Sequence, residues 1–235
     1  MPHESFTKTG VFSELYIKEL KSVINLIISS GYSSHVSYPF IPDLELNKKI
    51  AVVGLETKAW VDKLSSIQDV VLNEDEIIKK SFEKYNEYKL FKDKNKGFGW
   101  LVNAIHDISG ESPAWLNFFA FSYKNGSVNR ISNKNKLNDK IKDYSVLKLT
   151  EEIKVLEPRV IIFAGNYFKK FDCLAGNLTK NRTIIKDGFY RVEKWDSMII
   201  ARVPHPARRI KERTKITREN IRLAVDLYME NESLF

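Results

Sequence analysis

At 235 residues the chain has room for one generous domain or two small ones, at about 150 residues each. Hydrophobic residues make up 43% and aromatic residues 12%, enough for a substantial core, which excludes a wholly disordered chain. With 38 Lys and Arg against 30 Asp and Glu the net charge is +8, which favours a polyanionic partner, and the single cysteine, Cys173, excludes a disulfide framework, a four-cysteine zinc site and a self-ligated iron–sulfur cluster.

One lone thiol suits a reducing, cytoplasmic compartment. No bilayer-spanning run is present: the uncharged stretch Ser22 to Pro42 is interrupted by serines, a glycine, a histidine and two prolines. The opening MPHESFTKTG lacks the basic start and apolar stretch of a secretory signal.

In chain order, Phe12, Leu15, Tyr16, Leu20, Val23 and Ile27 recur at helical spacing and predict an amphipathic helix over 12–28. An aromatic, proline-containing loop, Tyr32 to Pro42, follows. Lys49 to Gly54 is a short apolar run ending in glycine, the pattern of a buried parallel strand. Asn73 to Lys96 is dense in both signs of charge and reads as a solvated helix. Lys124 to Lys142, rich in Asn, Lys and Gly, reads as a long loop. Asp143 to Leu156 then predicts a helix, Pro158 to Gly165 a second strand, Tyr167 to Leu174 a helix and Met198 to Val203 a third strand. Thr217 to Met229 closes the pattern as a helix, with Ile221, Ala224, Val225 and Tyr228 on one face. Alternating strands and helices predict an α/β fold with a parallel sheet covered on both sides. No repeat and no Pro/Gly/Ser linker divides the chain, so one domain spanning 1–235 is expected.

Ligands of such sheets sit beyond the carboxyl ends of the strands, which directs attention to the residues just after them. Glu56 stands two residues past Gly54, where a carboxylate can act as a base, stabilise a cation or simply complement a helix N-terminus. Asn117 lies inside the apolar run Trp115 to Phe121; its amide can read a base edge or cap a turn. His205 is held between Pro204 and Pro206 on a stiff loop and can donate a hydrogen bond to an oxygen gaining negative charge. Behind it come Arg208, Arg209, Lys211, Arg213, Lys215 and Arg218 against Glu212 and Glu219. A charge run is commonly a solvated face, but its position directly after the His-Pro loop favours phosphate binding.

Gly54-Leu55-Glu56, Asn117 in Leu-Asn-Phe-Phe, the strand Val160 to Gly165 and the His205-Pro206 loop occur in the order of the motifs of the uracil-DNA glycosylase superfamily, which the chain resembles over about residues 48 to 210. The resemblance implies a central, mostly parallel four-stranded sheet flanked by helices, with helices 12–28 and 217–229 outside the motif-bearing core. Glu56 then falls on the acid that activates water or stabilises the sugar cation, and His205 on the imidazole that stabilises the departing base anion. Asn117 falls on the pyrimidine-reading amide, with Leu55, Lys58 and Trp60 beside the base. Ala207, Arg208 and Arg209 fall on the loop that wedges into the duplex, with Lys211 and Arg213 extending the DNA contact. Trp60, Phe98 and Trp100 are the candidates for stacking on the flipped base. Neither a metal nor a cofactor is implied.

Several positions depart from the family pattern. Glutamate replaces the usual Asp or Asn, Thr57 the following Pro, and Lys58 the aromatic that excludes C5-substituted pyrimidines in strict uracil enzymes. Ala207-Arg208-Arg209 replaces Ser-Pro-Leu. The expected function is that of a monomeric, monofunctional DNA glycosylase acting on double-stranded DNA. Its favoured substrate is a C5-enlarged pyrimidine, such as 5-hydroxymethylcytosine or its glucosylated form in phage DNA. A uracil or mismatch repair glycosylase, a catalytically inactive DNA-binding relative and a nucleotide or nucleoside hydrolase are the alternatives.

Overall fold

In a computed structural model the described residues are 14–37, 39–42, 44, 47–55, 80, 81, 83, 97–124, 128–131, 136–165, 168–206 and 211–232. They form an α/β protein whose residues gather into two compact units.

Among the described residues the long helices of the first unit are α1 (Glu14–Ser29) and α3 (Lys136–Leu156, whose last residue belongs to the second unit). Helix α1 buries Tyr16, Leu20, Val23, Ile24 and Ile27, nearly the predicted stripe. Leu15 departs from it and is 51% exposed; Ile24 takes the buried place instead. After Gly31, in the left-handed region at φ 73°, the loop runs antiparallel to the segment that ends at Tyr123. Val36 bridges Tyr123, Ser37 N donates to Ser122 O, and Phe40 N donates to Ala120 O at 2.6 Å. Helix α3 begins inside the stretch expected to be loop, which corrects that expectation. Its first turns bury Leu137 and Ile141, and Lys140 reaches Glu19 of α1 at 2.6 Å. The stripe continues through buried Tyr144, Leu149 and Ile153 at helical spacing.

The second unit is built on the sheet. Its strands are β1 (Ile50–Gly54), β2 (Ala114–Asn117, whose last residue belongs to the first unit), β3 (Val160–Ala164), β4 (Arg182–Lys186), β5 (Val192–Trp195) and β6 (Met198–Val203). The order is β2-β1-β3-β6-β5-β4. Strand β1 runs parallel to β3, with Val53 opposite Phe163, and β3 parallel to β6, with Ala164 opposite Val203. Every residue of β1 and β3 is buried, as strands covered on both faces must be. Strands β5 and β4 add to β6 as an antiparallel hairpin. The four-stranded, mostly parallel expectation is therefore corrected to a mixed six-stranded sheet. The hairpin was hidden because β4 is exposed along nearly its whole length, and β5 carries Glu193 and Lys194 between its apolar ends.

Three helices complete this unit: α2 (Gly97–Ser109), α4 (Phe168–Leu178) and α5 (Lys211–Glu232). Helix α2, which no sequence pattern above predicts, buries Leu101, Ala104 and Ile105 and ends at Gly110, whose φ of 76° and bond to His106 O at 2.8 Å make a glycine C-cap. Helix α5 starts six residues earlier than predicted because Lys211 to Ile216 consists largely of strong helix formers, whereas the apolar stripe begins only at buried Thr217. Ile221, Ala224, Val225 and Tyr228 are buried as expected. The solvated helix expected over 73–96 lies outside the described residues, apart from helical Lys80, Ser81 and Glu83.

Candidate functional site

Because β1, β3 and β6 are parallel, the chain leaves all three at one rim of the sheet. Half-buried Leu55 follows β1 there. Gly165 N donates to Val203 O at 2.9 Å, sewing the end of β3 to the end of β6. Beyond Val203 the chain alternates: Pro204 is buried, His205 exposed and Pro206 buried. Two prolines with fixed φ, packed inward, flank the exposed histidine. Lys211 and Arg213 lie in the first turn of α5, exposed and half-buried respectively.

The residue that fixes this rim, Asn220 of α5, is not among those the sequence pointed to. It is fully buried; its Nδ2 donates to Arg202 O at 2.9 Å and to Tyr190 O at 3.0 Å, and its Oδ1 accepts from Lys186 Nζ at 2.8 Å. One amide thus ties the end of strand β6, the β4–β5 turn and the end of β4 to one helix. An asparagine placed between buried Thr217 and Ile221 on the apolar stripe was the available signal.

A second polar cluster braces the hairpin. Glu193 is 1% exposed, accepts from Trp195 Nε1 at 2.7 Å and from Arg182 Nη2 at 3.0 Å, and forms an ion pair with Arg191. Arg182 also reaches Asp172 of α4 at 3.0 Å. The Arg202 guanidinium stacks over the Phe171 ring at 4.6 Å. Burial, and then repulsion from Arg191, push its pKa below the usual arginine value. A buried carboxylate holding several donors is what keeps so many cations beside a sheet.

In the first unit, Asn117 is 1% exposed at the end of β2. Its carbonyl oxygen lies 3.5 Å from Lys148 Nζ. That ammonium sits between the two carboxylate oxygens of Glu152, at 2.6 and 2.7 Å, and 5.3 Å from the centre of the Phe40 ring. Both side chains of the ion pair are entirely buried. The Tyr16 and Tyr144 rings, both buried, meet edge to face with their centres 5.9 Å apart. Burial pushes the Glu152 carboxyl up to about 7 against the opposing pull of Lys148, and pushes Lys148 down. In the sequence Lys148 and Glu152 have only the spacing of an ordinary i,i+4 surface pair, which gave no reason to expect either in a core.

Glu56, Lys58, Trp60, Ala207, Arg208 and Arg209 lie outside the described residues. Phe98 and Trp100 are half-buried on α2, and the Phe98 ring stands 5.6 Å from that of Trp115. Among the described residues no three His, Cys, Asp or Glu side chains gather as a metal would require, and no helix is long and apolar enough to cross a membrane. Comparison with protein-family models and with curated proteins finds no match.

Proposed function

We propose that the protein is a monofunctional DNA glycosylase of the uracil-DNA glycosylase type, with strands β2, β1, β3 and β6 as its core and the β4–β5 hairpin as an addition. The observation that carries the reading is the His-Pro loop at the carboxyl end of a strand parallel to β1, with an exposed imidazole held between two buried prolines. The order of the Gly-Leu-Glu, Leu-Asn-Phe-Phe and His-Pro motifs supports it.

In this reaction the bond between C1′ of the deoxyribose and the base nitrogen breaks, and its electron pair leaves with the base. Water then bonds to C1′ and loses a proton. The transition state is cationic at the sugar and anionic at the base. Glu56 is assigned the cation-stabilising or water-activating role, and His205 donates to the base oxygen that gains charge. Asn117 reads the pyrimidine edge, with Leu55 and Trp60 beside it. Arg208, Arg209, Lys211 and Arg213 bind phosphates and hold the flipped nucleotide out of the duplex.

The substrate we favour is a C5-enlarged pyrimidine in double-stranded phage DNA, such as glucosylated 5-hydroxymethylcytosine, with the enzyme acting as a cytoplasmic monomer. Lys58 replaces the aromatic wall that would bar such a base, and its flexible stem can meet a hydroxyl-bearing substituent. Selectivity then rests on contacts that only the substituent makes. The test is alkali-induced strand cleavage after incubation with duplexes that each carry one candidate base. Breaks at the modified position support the reading, and uncut duplexes across the whole set oppose it.

A further inference from the structure

The β4–β5 hairpin has no part in the reaction above, yet its surface is unusual. Of the five large apolar side chains exposed among the described residues, three belong to it: Ile184 at 53%, Ile185 at 39% and Phe189 at 57%. Ile185 is the extra residue where the pairing register shifts between Ile184 and Lys186, and β4 is also the last strand of the sheet. The outer strand therefore offers exposed apolar groups along its length and at its turn, which soluble surfaces ordinarily avoid unless something docks there.

The location decides what docks. Tyr190 O shares Asn220 Nδ2 with Arg202 O, so the turn carrying Phe189 stands at the end of β6, three residues before His205. Gly188, at φ 135°, makes the turn that presents Phe189. Lys186 reaches Glu219 and Asn220, which sets the N-terminal half of α5 against the same turn. On that half, Lys211, Arg213 and Arg218 make no ion pair among the described residues. Self-pairing through β4 would set cation against cation, because the strand begins with Arg182 and ends with Lys186.

We infer that the β4–β5 turn and the start of α5 form a docking surface for duplex DNA adjoining the His205 loop, with Phe189 and Ile184 against sugar or base edges and Lys211, Arg213 and Arg218 on phosphates. The choice of partner rests on the reading under Proposed function. Apolar side chains pressed on the groove beside a basic helix are an established way of gripping a deformed duplex.

The test measures affinity for an undamaged duplex as a function of salt, together with sedimentation of the free protein. Phe189→Ser with Ile184→Ser changes two side chains that are each more than half exposed; circular dichroism checks that the fold is kept, and affinity falls about tenfold with the salt slope unchanged. Lys211→Gln, Arg213→Gln and Arg218→Gln together lower the slope by about 3. Wild-type affinity in the double serine variant would overturn the docking surface while leaving the glycosylase reading intact. A wild-type dimer that the serine variant dissolves would give the surface to a second copy and overturn the inference. No duplex binding by the wild-type protein would remove both.

Discussion

Lys148→Met takes the neutralising cation from a carboxylate sealed in the core of the first unit. The ammonium stands 2.6 Å from Glu152, and both side chains are fully buried. Without it Glu152 must either remain charged in a low-dielectric site or take up a proton, and breaking such a pair costs about 3–5 kcal/mol. Against a total stability of about 5–15 kcal/mol this is a large fraction. At about 2–4 °C per kcal/mol for a chain of this size, the melting temperature should fall by about 6–20 °C. Replacing both charges, Lys148→Met with Glu152→Leu, removes the desolvation cost together with the attraction, and the double variant should return to within about 1 kcal/mol of wild type or exceed it. The pH dependence carries a second signature. Burial raises the Glu152 carboxyl to about 7 in the folded state, so between the ordinary carboxylate range and pH 7 the native protein holds more protons than the unfolded chain. That contribution to stability is present at low pH and is lost as pH rises through this window. In Lys148→Met the folded carboxyl rises further, so the loss is steeper and reaches higher pH. Urea unfolding at several pH values measures all three quantities. A single variant within about 1 kcal/mol of wild type at pH 7, or a double variant no better than the single, would refute the reasoning.

Other expectations concern the chemistry and the rim. Glu56→Gln keeps size and removes charge, so base excision should be lost while duplex affinity stays within about three-fold; single-turnover assays beside anisotropy titrations check this. Charge reversal at Arg208 and Arg209 should weaken binding to every duplex alike and flatten the salt slope by about one unit for each phosphate no longer neutralised, read from titrations across a salt series. Asn220→Ala strips donors from two backbone carbonyls and an acceptor from Lys186, and should cost about 1–3 kcal/mol in thermal unfolding, with a loss of excision exceeding what the stability change explains if Asn220 also holds the His205 loop in place.

The parallel core was legible because its strands are continuous apolar runs, and Val160 to Ala164 can be little else. The helices with one apolar stripe were equally plain. What escaped was stabilised by polar partners distant in sequence. Strand β5 reads as Val-Glu-Lys-Trp, and only the convergence of Arg182, Arg191 and Trp195 on Glu193 makes a buried strand of it. Lys148 and Glu152 have the spacing of a solvent-facing pair, and their burial follows from what α1 and the segment after β2 lay over them. Asn220 acts through carbonyls thirty and eighteen residues away, a relation that no local pattern encodes. For the site, the sequence pointed to His205 and the two flanking prolines, which are buried on either side of the exposed histidine. The roles given to Glu56, Asn117 and Lys58 rest on the resemblance in their motifs.

The most direct test of base excision is mass spectrometry of the small molecules released from duplexes carrying uracil, thymine opposite guanine, 5-hydroxymethylcytosine or glucosylated 5-hydroxymethylcytosine, each at one position. The proposed enzyme releases the free C5-substituted base, leaves an abasic strand of matching mass deficit, and does so faster than it releases uracil. Intact duplexes throughout, despite measurable binding, would make the protein a DNA-binding relative without catalysis, and faster release of uracil than of every C5-substituted base would contradict the open pocket at Lys58.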